Sequence, residues 1–505
     1  MTQPVRRLAR AASARRSAVA TKPRTTRRGA ATNGRRAVTS RPRAARPAVA
    51  SGRRAAPAHQ APRIAPDDVH GVLGRHMLVD GYDLVLDLDK SQGRRLKDAR
   101  NHRWYLDLFS CFATLPVGIN HPRMKDPAFE ARLVRAARTN PTNSDIYTVE
   151  MAEFVETFGR LAMPAHLPHL FLVAGGSLGV ENALKAAFDW KVRRNFRKGH
   201  RMERGHQVLH FRESFHGRSG YALSLTNTAD PKKYQYFPRF DWPRITNPKL
   251  RFPLDAAELE RVRREENLAL DAIKNAFAER PDDIACIILE PIQAEGGDNH
   301  FRPEFLRALR QVADEQEALL IFDEVQTGMG LTGRMWAHQH WDVMPDLVAF
   351  GKKAQVCGMM AGARLDQEPE NVLRVSSRLN STWGGNLADM VRCQRYLEIM
   401  AEEKLVEHSA RAGEHLRRGL ERLQSERPEL VSNARGLGLM CAIDLPDGAT
   451  RDAVAQTMYE LGAIILGCGT RGLRFRTPLD VTTAELDEAL ALMRRALDRV
   501  VRKSA

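Results

Sequence analysis

The feature that most constrains the fold is a series of short apolar runs, each of which ends in a loop rich in glycine or polar residues. Five runs carry this pattern: "HLFLVAG" (169–175), "QVLHF" (207–211), "IACIILE" (284–290), "ALLIFDEV" (318–325) and "DLVAF" (346–350). Several of them are apolar without alternation, as strands covered on both faces of a sheet must be. Amphipathic helical stretches separate the runs, and this alternation predicts an α/β fold with a largely parallel sheet.

The pattern changes after about residue 385. A long helical stretch (387–426) leads to two short strands, "GLMCAIDL" and "LRFRTPL", and then to a terminal helix that starts near residue 482. This order predicts a smaller α+β unit. We therefore predict four parts, which are a disordered basic extension (1–66), an N-terminal segment packing with the small domain (67–117), a large cofactor-binding domain (118–385) and a small C-terminal domain (386–505).

The net charge of +17 lies entirely in the predicted extension. Residues 1–66 contain 17 Lys or Arg and no acid, and subtraction (78 − 17 = 61) leaves 61 basic and 61 acidic residues in the remainder. An Arg-, Ala- and Pro-rich segment with little to bury is expected to be disordered. Three interpretations stay open: an upstream extension without function, which we favour, a weak polyanion-binding arm, or a targeting segment. Nucleic acid is an improbable partner because no aromatic residues are interleaved with the arginines.

Two further features narrow the class of protein. No apolar run has the length that a membrane span requires, so no membrane association is expected. The six cysteines are scattered without a CxxC pair or a His cluster at metal spacing. That pattern favours a reducing, cytoplasmic setting and predicts neither a disulfide framework nor a bound metal.

The residues that follow each apolar run are the candidates for chemistry, because ligands of open parallel sheets bind beyond the carboxyl ends of the strands. Gly176 and Ser177 open a long helix, Phe215 stands on the next exit loop, Asp323 ends a buried run, and a lysine pair follows "LVAFG". Each piece alone has an ordinary explanation, such as a strand-to-helix turn, an aromatic cap on the core or a solvated lysine.

The four pieces together match the chemical needs of pyridoxal 5'-phosphate. Its phosphate requires amides such as those at a helix start, and its ring requires packing against apolar side chains. Its ring nitrogen requires a carboxylate, and its aldehyde requires an amine for a covalent bond. The joint occurrence in sheet order therefore predicts a pyridoxal-phosphate enzyme.

The motifs that carry the chemistry resemble those of the class III aminotransferases, which are pyridoxal-phosphate enzymes of fold type I. The resemblance rests on "FDEVQTGMGLTGRMW" with "PDLVAFGK", and on "GGSLGVENALKAAFDWK", "FHGRSGYALSLTNT", "FDWPRI", "AFGKKAQVCG" and "SRLNSTWGGN". It extends from about residue 66 to about residue 500. The likeness is greatest to family members that act on the ε-amino group of L-lysine, with ornithine or 4-aminobutyrate as the alternative donors.

The resemblance implies a role for each matched position. Lys352, rather than its neighbour, is the lysine expected to bond the cofactor aldehyde. Asp323 is expected to pair with the ring nitrogen, Val325 and Phe215 to sandwich the ring, and Gln326 to hydrogen-bond the ring hydroxyl and to reach the substrate.

The phosphate and the second subunit are assigned in the same way. Gly176 and Ser177 are expected to hold the phosphate, together with Thr382 from a second subunit. An active site completed across an interface implies a homodimer.

The substrate residues implied by the resemblance concern carboxylates. Arg218 is expected to bind the distant carboxylate of either L-lysine or 2-oxoglutarate, and Asn380 is expected to contact substrate. Arg474 is expected to bind the carboxylate next to the reacting carbonyl of 2-oxoglutarate. The ε-carbon of lysine bears no carboxylate, so Glu295 is expected to neutralise Arg474 when lysine is bound and to move away when the keto acid is bound.

Overall fold

The structure is a computed structural model that describes residues 64–504. The predicted basic extension lies outside the described residues except for its last three positions, and Pro66 begins a short 3₁₀ helix (Pro66–Asp68). From Ile64 onward the chain forms one compact unit. No helix in the described part of the chain is long and apolar enough to cross a membrane.

The secondary structure alternates strands and helices through the middle of the chain. The strands are β1 (Arg95–Lys97), β2 (Trp104–Asp107), β3 (His169–Val173), β4 (Gln207–Phe211), β5 (Arg244–Ile245), β6 (Ile284–Leu289), β7 (Ile292–Gln293), β8 (Asn299–His300), β9 (Leu319–Asp323), β10 (Leu347–Phe350), β11 (Cys357–Ala361), β12 (Ser432–Leu437), β13 (Met440–Asp444), β14 (Ala463–Ile464), β15 (Leu466–Cys468) and β16 (Gly472–Arg476). The α-helices span Val69–Gly74, Pro127–Ala137, Val149–Leu161, Gly176–Arg197, Gly220–Leu225, Ala256–Glu279, Pro303–Glu315, Leu387–Glu402, Leu405–Glu426, Gly448–Glu460 and Thr483–Ser504.

The largest sheet has seven strands in the order β3-β11-β10-β9-β6-β4-β5. All neighbours are parallel except β11, which runs antiparallel to both β10 and β3. The five predicted strands are all present in this sheet, and the α/β fold class is confirmed. Strands β11 and β5 are additional.

Both faces of this sheet are covered, as the unbroken apolar runs require. Every residue of β6, β9 and β10 is buried. On one face Ile288 and Ile321 pack in a cluster with Trp190 from the helix Gly176–Arg197. On the other face Ile287 and Phe322 join the largest core cluster. The central strands are therefore fixed on both sides, and only their ends reach a ligand.

The C-terminal part contains a four-stranded antiparallel sheet, in the order β12-β13-β16-β15. The predicted long helical stretch before it is two helices, because Lys404 adopts a left-handed backbone (φ 51°) between them. The N-terminal strand β2 pairs with β1 on one side and with β14 on the other, in a separate three-stranded sheet. The division into domains at residues 117 and 385 stays a prediction.

Candidate cofactor and substrate site

The exits of the parallel strands meet in one cleft. Eight residues predicted for the site line this cleft, and they are Gly176, Ser177, Phe215, Glu295, Asp323, Val325, Gln326 and Lys352. Three other lining residues, His216, Gly217 and Glu290, had no predicted role. Because neighbouring parallel strands end at the same edge, residues more than 170 positions apart in the chain become neighbours here.

One end of the cleft presents the start of the helix Gly176–Arg197. No side chain among residues 64–504 caps this helix start, so its first amides are available to bind an anion. Gly217 lies against it with φ +126°, and a Cβ there would come within 2.1 Å of Ser177 Oγ. Ser177 Oγ lies 2.5 Å from Ser219 Oγ, which donates to Glu181 at 3.0 Å. This end of the cleft therefore presents main-chain amide donors. Because Gly217 has no side chain, its backbone can approach Ser177 closely here.

The floor of the cleft carries a buried carboxylate. Asp323 ends β9 and is 4% exposed. Its Oδ2 lies 2.8 Å from His216 Nδ1, and its Oδ1 accepts a hydrogen bond from the Val325 amide at 3.1 Å. The buried imidazole is a partner that a solvent-inaccessible carboxylate requires. The sequence pattern places Phe215 on this exit loop but gives its neighbour His216 no role.

The adjacent lysines have different surroundings. Lys352 lines the cleft with a left-handed backbone (φ 48°), and burial, reinforced by Arg474, lowers the pKa of its amine to about 8. Lys353 is 2% exposed and donates to the Leu115 carbonyl at 2.9 Å. Burial lowers the pKa of Lys353 to about 7. Only Lys352 is therefore placed to react with a group in the cleft.

Glu290 is a second buried acid in the cleft. Its carboxylate accepts hydrogen bonds from the Phe215 amide at 2.9 Å and from the Ala294 amide at 3.0 Å. Burial raises its pKa to about 7. The two bonds fix the loop that carries Phe215, so Glu290 orients an aromatic residue of the cleft wall.

The mouth of the cleft contains a network of ion pairs. Glu295 Oε2 accepts a hydrogen bond from Arg474 Nη2 at 2.5 Å, and the other oxygen of Glu295 pairs with Lys233. Burial alone would raise the pKa of Glu295, but Arg474 and Lys233 outweigh it and lower this pKa. Burial alone would lower the pKa of Arg474, but Glu295 outweighs it and the pKa is raised. Both groups are therefore charged at neutral pH.

Gln326 is held by the same network. Its Oε1 accepts from Arg476 Nε at 2.9 Å and from Arg474 Nη1 at 3.4 Å. Arg476 is itself fixed by Asp298, whose Oδ2 is 2.9 Å from Arg476 Nη1. The amide nitrogen of Gln326 is thus left to donate to a hydroxyl in the cleft.

Three predicted residues lie away from the cleft within a single chain. Arg218 is exposed and does not line the cleft. Asn380 and Thr382 are exposed, and Asn380 lines a different cleft together with Asn143. The roles of these three residues stay predictions, because a second subunit or a bound substrate would change their surroundings.

The fold and the cleft define the class of protein. An amine of lowered pKa, a buried carboxylate and a helix start surround one cleft at the carboxyl edge of a largely parallel sheet. These groups fit pyridoxal phosphate, since they supply the partners its aldehyde, ring nitrogen and phosphate require. This is the arrangement of pyridoxal-phosphate transferases of fold type I.

Comparison with known proteins identifies the family. The sequence model for class-III aminotransferases matches residues 78–497, and the chain belongs to this family. The predicted family, the enzymatic class and the cofactor, pyridoxal 5'-phosphate, are thereby confirmed.

The similar proteins include named family members. The L-lysine-epsilon aminotransferase of Mycobacterium tuberculosis is 54% identical over 433 residues, which cover 86% of this chain and 96% of that protein. The enzyme of the same name from Streptomyces clavuligerus is 52% identical over 436 residues (86% and 94%). The mitochondrial 4-aminobutyrate aminotransferase of Mus musculus is 32% identical over 427 residues (77% and 80%).

A solved structure has the same fold over most of the chain. It is the lysine aminotransferase from M. tuberculosis in the internal aldimine form, with a TM-score of 0.85 and 54% identity. The match covers 86% of this chain and 100% of that structure.

Proposed function

We propose that this enzyme transfers the ε-amino group of L-lysine to 2-oxoglutarate. The products are L-glutamate and 2-aminoadipate 6-semialdehyde, which cyclises to piperideine-6-carboxylate. Two relatives named L-lysine-epsilon aminotransferase share 52–54% of their residues with this chain. The structural observation that carries the proposal is the pairing of Glu295 with Arg474 at the mouth of the cleft.

Each of the cleft residues contacts a different part of the cofactor in this proposal. The amine of Lys352 would bond the cofactor aldehyde, and the same side chain would then move the proton at the substrate carbon. Asp323 would keep the ring nitrogen protonated, and His216 holds that carboxylate in place at 2.8 Å. Phe215 and Val325 would enclose the ring. When bound, the cofactor supplies an electron sink for the substrate carbon.

The start of the helix Gly176–Arg197 would hold the phosphate. The amides of Gly176 and Ser177 would donate to its oxygens, and the positive end of the helix favours a negative charge. Gly217 leaves the space that the serine and the phosphate need, since a side chain there would collide with Ser177 Oγ.

Two substrates of different shape must use the same cleft. The ε-carbon of lysine is flanked by methylenes, and an unpaired guanidinium facing methylenes would be costly when only 3% of it is exposed. Glu295 removes this cost by neutralising Arg474. With 2-oxoglutarate, a substrate carboxylate takes the place of Glu295 on Arg474.

The carboxylate distant from the reacting carbon, which is the α-carboxylate of lysine or the γ-carboxylate of 2-oxoglutarate, requires a further cation, and we propose Arg218 for this role. Asn380 contacts the substrate, and Thr382 reaches the cofactor phosphate of a partner in a homodimer. The segment that holds them is exposed, as are the neighbouring side chains Tyr147 (76%) and Trp383 (52%). An exposed aromatic surface beside these residues supports contact with a second copy of the chain. We expect the enzyme in the cytoplasm.

A related ω-aminotransferase activity, on ornithine or 4-aminobutyrate, is the second candidate. It is favoured by the 32% identity to the 4-aminobutyrate enzyme. Measuring kcat/KM for lysine, ornithine and 4-aminobutyrate decides between the donors, and the proposal requires lysine to have the highest value. Polyanion binding by the basic extension concerns residues outside the described part of the chain.

The role of Lys352 is tested by Lys352→Ala, with Lys352→Arg as the control that keeps the charge. Neither side chain can form the bond to the cofactor, so both variants are expected to lose turnover and the absorbance of the covalently bound cofactor. If Lys352→Ala turned over lysine at the wild-type rate, another residue would have to form the bond to the cofactor.

A further inference from the structure

Glu295 is held by two cations rather than one. Arg474 on β16 pairs with one carboxylate oxygen, and Lys233 pairs with the other. All three side chains are largely removed from solvent, with 3% of Arg474, 16% of Lys233 and 24% of Glu295 exposed. Lys233 was not among the predicted site residues, because it lies 62 positions from Glu295 in the chain.

The main chain places Lys233 at this position. It ends the short 3₁₀ helix Pro231–Lys233, whose start is capped when Asp230 accepts a hydrogen bond from the Lys232 amide at 3.1 Å. The ammonium of Lys233 also lies 6.0 Å from the centre of the Phe215 ring, in the wall of the cofactor cleft. Lys232, its neighbour, is exposed. Lys233 therefore faces the cleft while Lys232 faces solvent.

The three groups together carry a net charge of +1. A ligand without a carboxylate at this position leaves Glu295 between its two cations. A ligand with one gives two ion pairs, the substrate carboxylate with Arg474 and Glu295 with Lys233, so that each charge keeps an opposite neighbour. Without Lys233, the same ligand would leave Glu295 as an unpaired acid close to the incoming carboxylate, which opposes binding.

We propose that Lys233 is a specificity-determining residue that retains Glu295 when a substrate carboxylate takes over Arg474. This inference rests on the proposed function, because it assigns a residue to the exchange between a monoamine donor and a dicarboxylate acceptor. Lys233 acts on the substrate through Glu295 and is a positioning residue, not a catalytic one.

The test compares the two half-reactions in single turnovers of the purified, cofactor-loaded enzyme. Lysine is mixed with the aldehyde form of the cofactor, 2-oxoglutarate with the amine form, and the absorbance of the cofactor is followed. In Lys233→Met the rate with 2-oxoglutarate should fall about tenfold, within the range measured for coupled charged neighbours. The rate with lysine should change less than about twofold, since Arg474 and Glu295 remain paired. Lys233→Arg should restore the rate, and Lys232→Met, the matched control on the exposed neighbour, should behave as wild type.

A double variant shows whether the effect passes through Glu295. Once Glu295→Gln has removed the acid, adding Lys233→Met should no longer penalise 2-oxoglutarate selectively. Equal losses in both half-reactions of Lys233→Met would mean that Lys233 only supports the fold, and no loss would mean that Glu295 needs no second cation. Either result overturns the inference. Failure of the proposed function is distinguishable from failure of this inference. If the proposed function were wrong, the wild-type enzyme itself would not react with lysine.

Discussion

Removing the carboxylate of Glu295 should slow the half-reaction with lysine without weakening the half-reaction with 2-oxoglutarate. In Glu295→Ala, Arg474 keeps only the 3.4 Å contact from its Nη1 to Gln326, and its buried Nε has no partner within the described residues. Lys233 loses its partner as well. The mouth of the cleft then carries two unpaired cations until a substrate carboxylate binds Arg474.

The magnitude follows from the burial of Arg474, which is 3% exposed. Leaving a buried charged group unpaired costs about 1–3 kcal/mol, and this cost applies when lysine methylenes face it. Since about 1.4 kcal/mol corresponds to a factor of ten, the lysine half-reaction should slow by roughly 5- to 150-fold. Binding of 2-oxoglutarate should hold or improve, because no internal ion pair has to break first. Glutamate, whose α-carboxylate can satisfy Arg474, should become a relatively better donor.

Single-turnover absorbance measurements with lysine, glutamate and 2-oxoglutarate give these quantities directly. Glu295→Gln is the matched control, because it keeps the shape and a hydrogen-bond acceptor while removing the charge, and its loss with lysine should be smaller. Equal losses in both directions, or an unchanged preference between lysine and glutamate, would refute the exchange mechanism.

Three other predictions follow from the cleft and its surroundings. Cofactor binding to the cofactor-free enzyme should accelerate as pH rises through about 8, where the Lys352 amine becomes neutral, and a midpoint near 10.5 in stopped-flow traces would contradict the lowered pKa. Burial lowers the pKa of Lys353 from its ordinary 10.5 to about 7 in the folded protein, so the unfolded state binds the extra proton between these values and stability rises with pH there. The Tm of wild type should therefore rise relative to that of Lys353→Met from pH 7 to pH 10, and a constant difference would contradict this. Gly217→Ala should release the cofactor on dialysis because its Cβ would meet Ser177 Oγ at 2.1 Å, whereas Gly220→Ala, with 3.8 Å to its nearest neighbour, should retain it.

The parts of the fold that follow from local pattern were predictable. Strands buried on both faces must be continuous apolar runs, and each of the five runs is a strand of the central sheet. Strand β11 was missed because "CGMMA" begins with a cysteine and a glycine, and glycine is depleted in strands. The break at Lys404 was missed because helical periodicity continues through it, and only the backbone angle marks the change.

The site residues also divide into those that local sequence pattern predicts and those that it does not. Asp323 and Lys352 stand where apolar runs end, so their positions could be predicted from the topology of parallel sheets. His216, Glu290 and Lys233 have roles that depend on a partner far away in the chain, and no spacing in the sequence encodes such a contact. The proposed roles of Arg218, Asn380 and Thr382 depend on a substrate or a second subunit, which sequence pattern cannot position.

The measurement that tests the central claim most directly follows one nitrogen atom. L-Lysine labelled with ¹⁵N at the ε-position is incubated with the cofactor-loaded enzyme and unlabelled 2-oxoglutarate, and the glutamate formed is analysed by mass spectrometry. A parallel sample contains lysine labelled at the α-position. We predict that glutamate carries the label from ε-labelled lysine and none from α-labelled lysine, and that Lys352→Ala transfers no label to glutamate. Label arriving from the α-position, or no labelled glutamate from either lysine, would contradict the proposed reaction.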